Sequence, residues 1–475
     1  MKVEKNHSST DNYKFLTTAP VHRVIITMAV PTTISMLIAS LYNIADTFFV
    51  GQIDTQSTAA VGIVFSVMFF IQAFAFFFGN GSGNYISREL GARNRRNAKK
   101  MASTGFFASV IFGILLCVAG ECMLSPLSVW LGSTPTILPY TERYMGITLL
   151  SAPMMMGSIC LNNQLRFQGN AKYGMIGISA GCIINVMLDP VFIFLFHMGV
   201  AGAAVATVIG QTCSLVILLW MTRHTDSLPI KWHDVRWSNN NGNGNGDDNV
   251  NRNWNGIMAF FCELTAGGSP SLMRQGLGCI AVTLLNVTAA RYGDATVAAM
   301  SIVGRIGMLV MAAVIGLGHG FQPLCGYCYG ARLYDRLKDG FWFCVRVGTI
   351  FLCVMALIGW LYTNEVVAVF RDDPDVTAIG VVALRCQLLT FPLNALMIYS
   401  NMMLQTIRMP LQANLLASAR HGLFFIPLII ILPYYLGLFG VEVCQAVSDA
   451  LSFLLTIPIL WQTMKKLRNG NINRS

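Results

Sequence analysis

Twelve stretches of roughly twenty apolar residues, following one another from end to end, leave this chain few ways to fold. Each is long enough to cross the ~30 Å hydrocarbon layer of a bilayer as a helix. Within that layer no water satisfies backbone N–H and C=O groups, so a spanning segment must satisfy its own. The stretches fall at about 24–48, 58–82, 101–123, 140–163, 173–196 and 201–221, and then at 257–288, 297–321, 341–361, 383–405, 416–436 and 441–462. The expected class is all-α integral membrane, with twelve transmembrane helices. Only 11% of residues are charged, against about a quarter in soluble domains.

The formal charge of +10 would by itself suit a nucleic-acid binder, but Lys and Arg sit in short connections between the apolar runs. That pattern is membrane topology, so the expected partner is the lipid bilayer, with no nucleic acid. Every second connection is basic: the N-terminal segment, Arg88 to Arg96, Arg166 with Lys172, Arg223 to Arg252, Arg332 to Lys338, Arg408 with Arg420, and Lys465 to Arg468. By the positive-inside rule both termini are expected in the cytoplasm. The opposite set carries only Arg143, Arg291 and Arg371, the last beside Asp372, Asp373 and Asp375. The first twenty or so residues lack the apolar core of a cleavable signal. The domain expectation is a cytoplasmic tail at 1–23, a first lobe at 24–222, an Asn/Gly-rich linker at 223–256, a second lobe at 257–462 and a cytoplasmic tail at 463–475.

The two lobes repeat. Laying residue n on n+239 without a gap pairs Pro31 with Pro270, Gly79 and Gly81 with Gly318 and Gly320, Gly91-Ala92-Arg93 with Gly330-Ala331-Arg332, Pro153 with Pro392, and Asn162 with Asn401. Six spans per lobe in one orientation make parallel repeats, an architecture of transporters with the binding site between the halves. The symmetry breaks at acids: Asp46 faces Leu285 in the alignment, Asp189 faces Leu428, and Asn185 faces Phe424. The chemistry is therefore expected in the first lobe.

Asp46 lies in Tyr42 to Gly51, near the end of the first apolar run, with no basic neighbour in sequence. An acid at mid-membrane depth costs about 2.5–3.5 kcal/mol on insertion scales and usually marks an ion or proton route. An acid snorkelling at a helix end is the alternative for Asp46, and one set by the proline that follows is the alternative for Asp189. Asn185 and Asp189 share a helix face, as do Tyr42 and Asp46. Two such acids can share a proton, and the same oxygens could ligate Na+.

The segment Tyr42 to Gly51, the loop Ser87 to Asn94 with its echo Tyr329 to Arg332, and Asn185 to Pro190 resemble the multidrug and toxic compound extrusion (MATE) family, in its DinF-like and MepA-like bacterial branch. The resemblance covers nearly the whole chain. It implies two six-helix lobes around a central cavity and cation-coupled export of bulky, often cationic aromatic compounds by a monomer in the bacterial inner membrane, the context of antibiotic resistance. It places the coupling site, for H+ or Na+ and with no other cofactor, on Asp46, Asn185 and Asp189, with Tyr42, Asn162 and Thr207 beside them. Pro31 matches the family's proline-bent first helix. Asp449, in the twelfth span, is the one deep acid left for the second lobe's side of the cavity. Glu263 reads as an interfacial acid.

Arg274, Arg305 and Arg385 lie within spans and are expected to be paired or near the interface. If they instead converge, the rival reading is a lipid-linked oligosaccharide flippase of the same superfamily. His319 reads as a capping or packing residue on a Gly-rich turn. The runs Met154 to Met156 and Phe74 to Phe78 read as packing or lipid-facing surface rather than a drug surface. No metal or redox role is expected of the cysteines, including Cys325 and Cys328, and no catalytic motif for an enzyme is present.

Overall fold

A computed structural model describes residues 5–225, 227–235, 249–369 and 373–468. The Asn/Gly tract at 238–248, Arg371, Asp372 and the last seven residues lie outside the described residues. Among the described residues every regular element is helical: α1 (Lys5–Thr18), α2 (Val21–Gly51), α3 (Thr55–Gly91), α4 (Arg95–Cys122), α5 (Leu124–Trp130), α6 (Leu138–Leu149), α7 (Ala152–Phe167), α8 (Ala171–Pro190) and α9 (Val200–His224) in the first half. The second half has α10 (Asn249–Ala290), α11 (Asp294–Gly330), α12 (Tyr334–Leu361), α13 (Thr363–Ala368), α14 (Pro374–Thr406), α15 (Pro410–Ser418), α16 (Phe425–Leu436) and α17 (Leu438–Arg468). Eleven helices or runs of helix are long and apolar enough to cross a membrane, and a twelfth forms if α6 and α7, bent by 48°, count as one span. Many of their large apolar side chains point outward, Leu115, Met308 and Ile350 among them, as a bilayer solvent requires.

Several elements depart from the sequence windows. Residues 5–18, expected as a tail, form α1, whose Leu16 is fully buried and whose Asn12 donates to Asn170 Oδ1 at 2.9 Å. The helices α3 and α11 run about nine residues past their windows, so Arg88 is helical and no turn forms at Gly79 to Gly81 or Gly318 to Gly320. His319 is accordingly a buried residue inside α11 rather than a helix cap. Arg420, counted with a basic connection although the window 416–436 already contains it, lies inside the eleventh span on a π-helical turn (Ala419–Leu423) between α15 and α16. Met155, Met156 and Phe78 pack in the core, with the Phe78 ring 5.6 Å from that of Phe112.

The shared Gly-Ala-Arg motif now has a physical reason. Arg93 and its counterpart Arg332 both adopt φ of 60°, the left-handed position that closes a helix. The next N–H reaches back to Glu89 O at 2.8 Å in one lobe and to Cys328 O at 2.8 Å in the other. An L-residue with a side chain is strained there by about 1 kcal/mol. Arg332→Gly is expected to raise stability by roughly 0.5–1 kcal/mol, read as a higher melting temperature in detergent.

The chain divides into two compact units, and the division does not follow the sequence halves. Unit 1 is Met1–Ala19 with Val30–Leu272; unit 2 is Pro20–Ala29 with Met273–Ser475. Each unit thus takes in a short stretch from the other half, and the two stretches correspond under the 239-residue shift. In unit 1, a Cβ added to Gly81 would lie 2.5 Å from Leu264 O; in unit 2, one added to Gly320 would lie 2.7 Å from Ile25 O and from Ala29 N. Leu264 and Gly268 are the counterparts of Ile25 and Ala29. The paired glycines are where backbones touch, as small residues do between membrane helices. Both helices change unit next to a proline, Pro31 in α2 and Pro270 in α10. Proline has no N–H to give the carbonyl four residues earlier, so the helix is weakest there.

Candidate functional site

Unit 1 collects its acids near the C-terminal ends of two helices. Asp46 sits on the last turns of α2 and Asp189 on the last turn of α8, where Pro190 and a π-helical turn (Val191–Leu195) follow. π-turns within helices often occur at functional positions. The backbone of α8 can approach α9 closely because glycines face each other: a Cβ on Gly181 would meet Gly210 O at 2.6 Å, and one on Gly210 would meet Gly181 O at 2.9 Å. One turn along α8, Asn185 donates its Nδ2–H to Thr207 Oγ1 at 3.3 Å, while the Thr207 hydroxyl donates to Ala203 O at 3.0 Å. The Tyr42 hydroxyl joins Thr207 from α2.

Asp189 is wholly buried and Asp46 nearly so. Neither Asp189 oxygen has a hydrogen-bond partner among the described residues, nor do Asp46 Oδ1 and Asn185 Oδ1. Asp46 and Asp189 lie within electrostatic reach of each other and of Tyr42. Among the described residues no basic side chain joins them. A buried carboxylate without partners is stable only with a proton or a cation on it. The arrangement is therefore a set of oxygen acceptors waiting for a positive charge.

Of the residues read from the sequence, Tyr42, Asp46, Asn185, Asp189 and Thr207 come together. Asn162 does not join them. Its Nδ2 donates to Gly174 O at 3.5 Å, eleven residues up α8 from Asn185, which is about 16 Å of helix. Its repeat partner Asn401 makes the same bond to Ala413 O at 2.7 Å, the position equivalent to Gly174. Asn162 is thus a scaffold tie present in both lobes.

Tyr144, on α6, was missed and belongs with the cluster: it is buried and feels the charges of Asp46 and Asp189. The broken repeat could have found it, since Tyr144 corresponds to Ala383, as Tyr42 does to Ala281 and Thr207 to Ala446.

Asp449 is not an open acid. It is fully buried in unit 2 and saturated with donors: Arg420 Nε at 2.8 Å to Oδ1, an Arg420 terminal nitrogen at 3.2 Å to Oδ2, Gln445 at 2.7 Å and Asn394 at 3.1 Å. Glu263, read as a lone interfacial acid, is paired at 2.8 Å with Arg88 inside unit 1. Arg385 stacks over the Trp360 ring at 5.5 Å, Arg305 is exposed on α11, and Arg274 reaches Asn401 Oδ1 at 3.2 Å.

Among the described residues no group of His, Cys, Asp or Glu is arranged to hold a metal ion.

The chain is 24% identical over 444 residues to the multidrug export protein MepA of Staphylococcus haemolyticus, covering 92% of this chain and 93% of that one. It is likewise 24% identical over 454 residues to MepA of Staphylococcus aureus, covering 94% and 95%. Its fold is that of a MOP superfamily transporter from Pyrococcus furiosus, with a TM-score of 0.85, 23% identity and coverage of 96% and 98%. The MatE family model matches residues 31–191 and again 270–447. Those two matches follow the two lobes of the repeat and take in Asp46, Asn185 and Asp189, and by them the chain belongs to the MatE family.

Proposed function

We propose that this protein is a cation-coupled exporter of bulky, often cationic aromatic compounds, with its coupling ion bound at Asp46 and Asp189 in unit 1. The names of the curated relatives support multidrug export, and membership of a transporter family argues against an enzyme. The observation that carries the coupling reading is Asp189: both its carboxylate oxygens are buried with no donor among the described residues. H+ is the preferred ion. Two carboxylates with one amide and two hydroxyls offer a place to hold a proton but fall short of a cage of oxygens for Na+. Binding of the ion changes the charge of the α2–α8 corner, and Pro31 is the hinge through which α2 answers. The work available is limited to the ion's differential affinity for the two conformations. The protein acts as a monomer in the plasma membrane of a bacterium, with both termini in the cytoplasm.

The test is dye efflux from proteoliposomes loaded with rhodamine 6G. An imposed pH gradient is expected to drive efflux and a Na+ gradient at constant pH is not. Efflux under the Na+ gradient alone would assign the site to Na+; efflux under neither would remove the coupling reading. A flippase would require Arg274, Arg305 and Arg385 to meet; Arg274 instead reaches Asn401 and Arg385 stacks on Trp360, which does not favour that reading.

A further inference from the structure

Unit 2 has a polar cluster of its own, placed where unit 1 has none. Under the repeat, Arg420 and Asp449 occupy the positions of Gly181 and Gly210, Arg274 that of Ser35, and His421 that of Cys182. The Arg420–Asp449 pair thus bridges the π-turn and α17 where unit 1 closes glycine on glycine. Charge does not balance there. Two guanidinium groups stand against one carboxylate, because Arg274 has only the amide of Asn401 as partner, and no acid among the described residues pairs with it. His421 lies within electrostatic reach of Arg274, Arg420 and Asp449. Glu442, two turns before Asp449 on α17, lies instead beside Cys386 of α14.

Arg274 and His421 are half-buried, and a fifth of the Arg420 side chain, 21%, is open. A ligand can therefore reach all three side chains. An Arg in a membrane-spanning segment is costly unless it meets an anion, and Arg274 has donors left over for one.

We propose that this cluster is an anion-binding site that takes the carboxylate of an amphiphilic substrate on Arg274, with Arg420 alongside. The substrate class of the exporter then includes zwitterionic and acidic aromatics as well as cations. This rests on the export reading for its meaning, and it is tested by equilibrium binding without any gradient, so that loss of the site and loss of coupling are separable.

The probes are rhodamine 110, which carries a free carboxylate, and rhodamine 123, its methyl ester. Fluorescence polarisation with the purified full chain in detergent is expected to show tighter binding of the acid than of the ester. Arg274→Gln is expected to weaken the acid at least tenfold, in line with a charged hydrogen bond, while moving the ester by less than about twofold; Arg274→Lys retains most of the acid's affinity. Equal or tighter binding of the ester by wild type overturns the proposal with no variant needed, and so does an equal loss of both dyes in Arg274→Gln. In nanodiscs, displacement of rhodamine 110 by phosphatidylglycerol but not phosphatidylcholine, lost in Arg274→Gln, would overturn the assignment to substrate and give the site to a lipid headgroup.

Discussion

Asp189→Asn is expected to reduce gradient-driven efflux by about 5–150-fold, the range spanned by coupling free energies of about 1–3 kcal/mol. The amide keeps the shape of the side chain but cannot take up and release a proton. Asp46→Asn is expected to do the same, and the double variant to be no worse than either single one, because the two acids act as a unit. A structural role predicts something different for stability. If Asp189 held the fold through bonds, its loss would lower the melting temperature. Its oxygens have no partners among the described residues, so Asp189→Asn should melt no lower than wild type, and higher at pH values where the carboxylate would be charged. Transport and melting curves on the same preparation decide the matter; a variant that pumps normally removes Asp189 from the mechanism.

The second large effect lies in unit 2. Asp449→Ala leaves Arg420, Gln445 and Asn394 facing a hole, with a guanidinium whose only carboxylate is gone. Removing one partner of a buried ion pair costs about 3–5 kcal/mol, enough to abolish well-folded protein in many membrane preparations. The paired change Arg420→Met with Asp449→Leu removes both charges and is expected to recover much of that loss. Size-exclusion profiles and melting temperatures of the three variants measure it. A double variant as unstable as Asp449→Ala alone would show that Gln445 and Asn394, rather than the charge, carry the cost.

Much of this protein was legible in the sequence because the bilayer restricts what a backbone can do. The twelve spans follow from length and hydropathy alone, and the repeat from prolines and glycines in one register. The acids of unit 1 were legible because symmetry makes them conspicuous: scaffold positions match across the lobes, and Asp46, Asn185 and Asp189 do not. What sequence could not give was the third dimension of each polar residue. Asn162 is polar and mid-span like the others, but it bonds across to Gly174, and its match with Asn401 was already the mark of scaffold. Asp449 looked like a spare acid because Arg420, twenty-nine residues away, was counted with a basic connection even though its window put it in a span. The π-turn on which Arg420 meets Asp449 has no simple periodicity to announce it.

The stretch Pro20–Ala29 packs with α11 around Gly320, yet it leaves the ribosome about 290 residues before that glycine does. At roughly 5–20 residues per second the wait is on the order of 15–60 s. Unit 1 likewise lacks its last stretch until residue 272 has been made. Synthesis of this chain is therefore not one lobe and then the other: the first transmembrane segment enters the membrane with the first nine residues of its 31-residue helix unclaimed, held by α1 on unit 1 behind it. A stall in the second half before residue 272 strands both units at once, and a later one strands unit 2 alone.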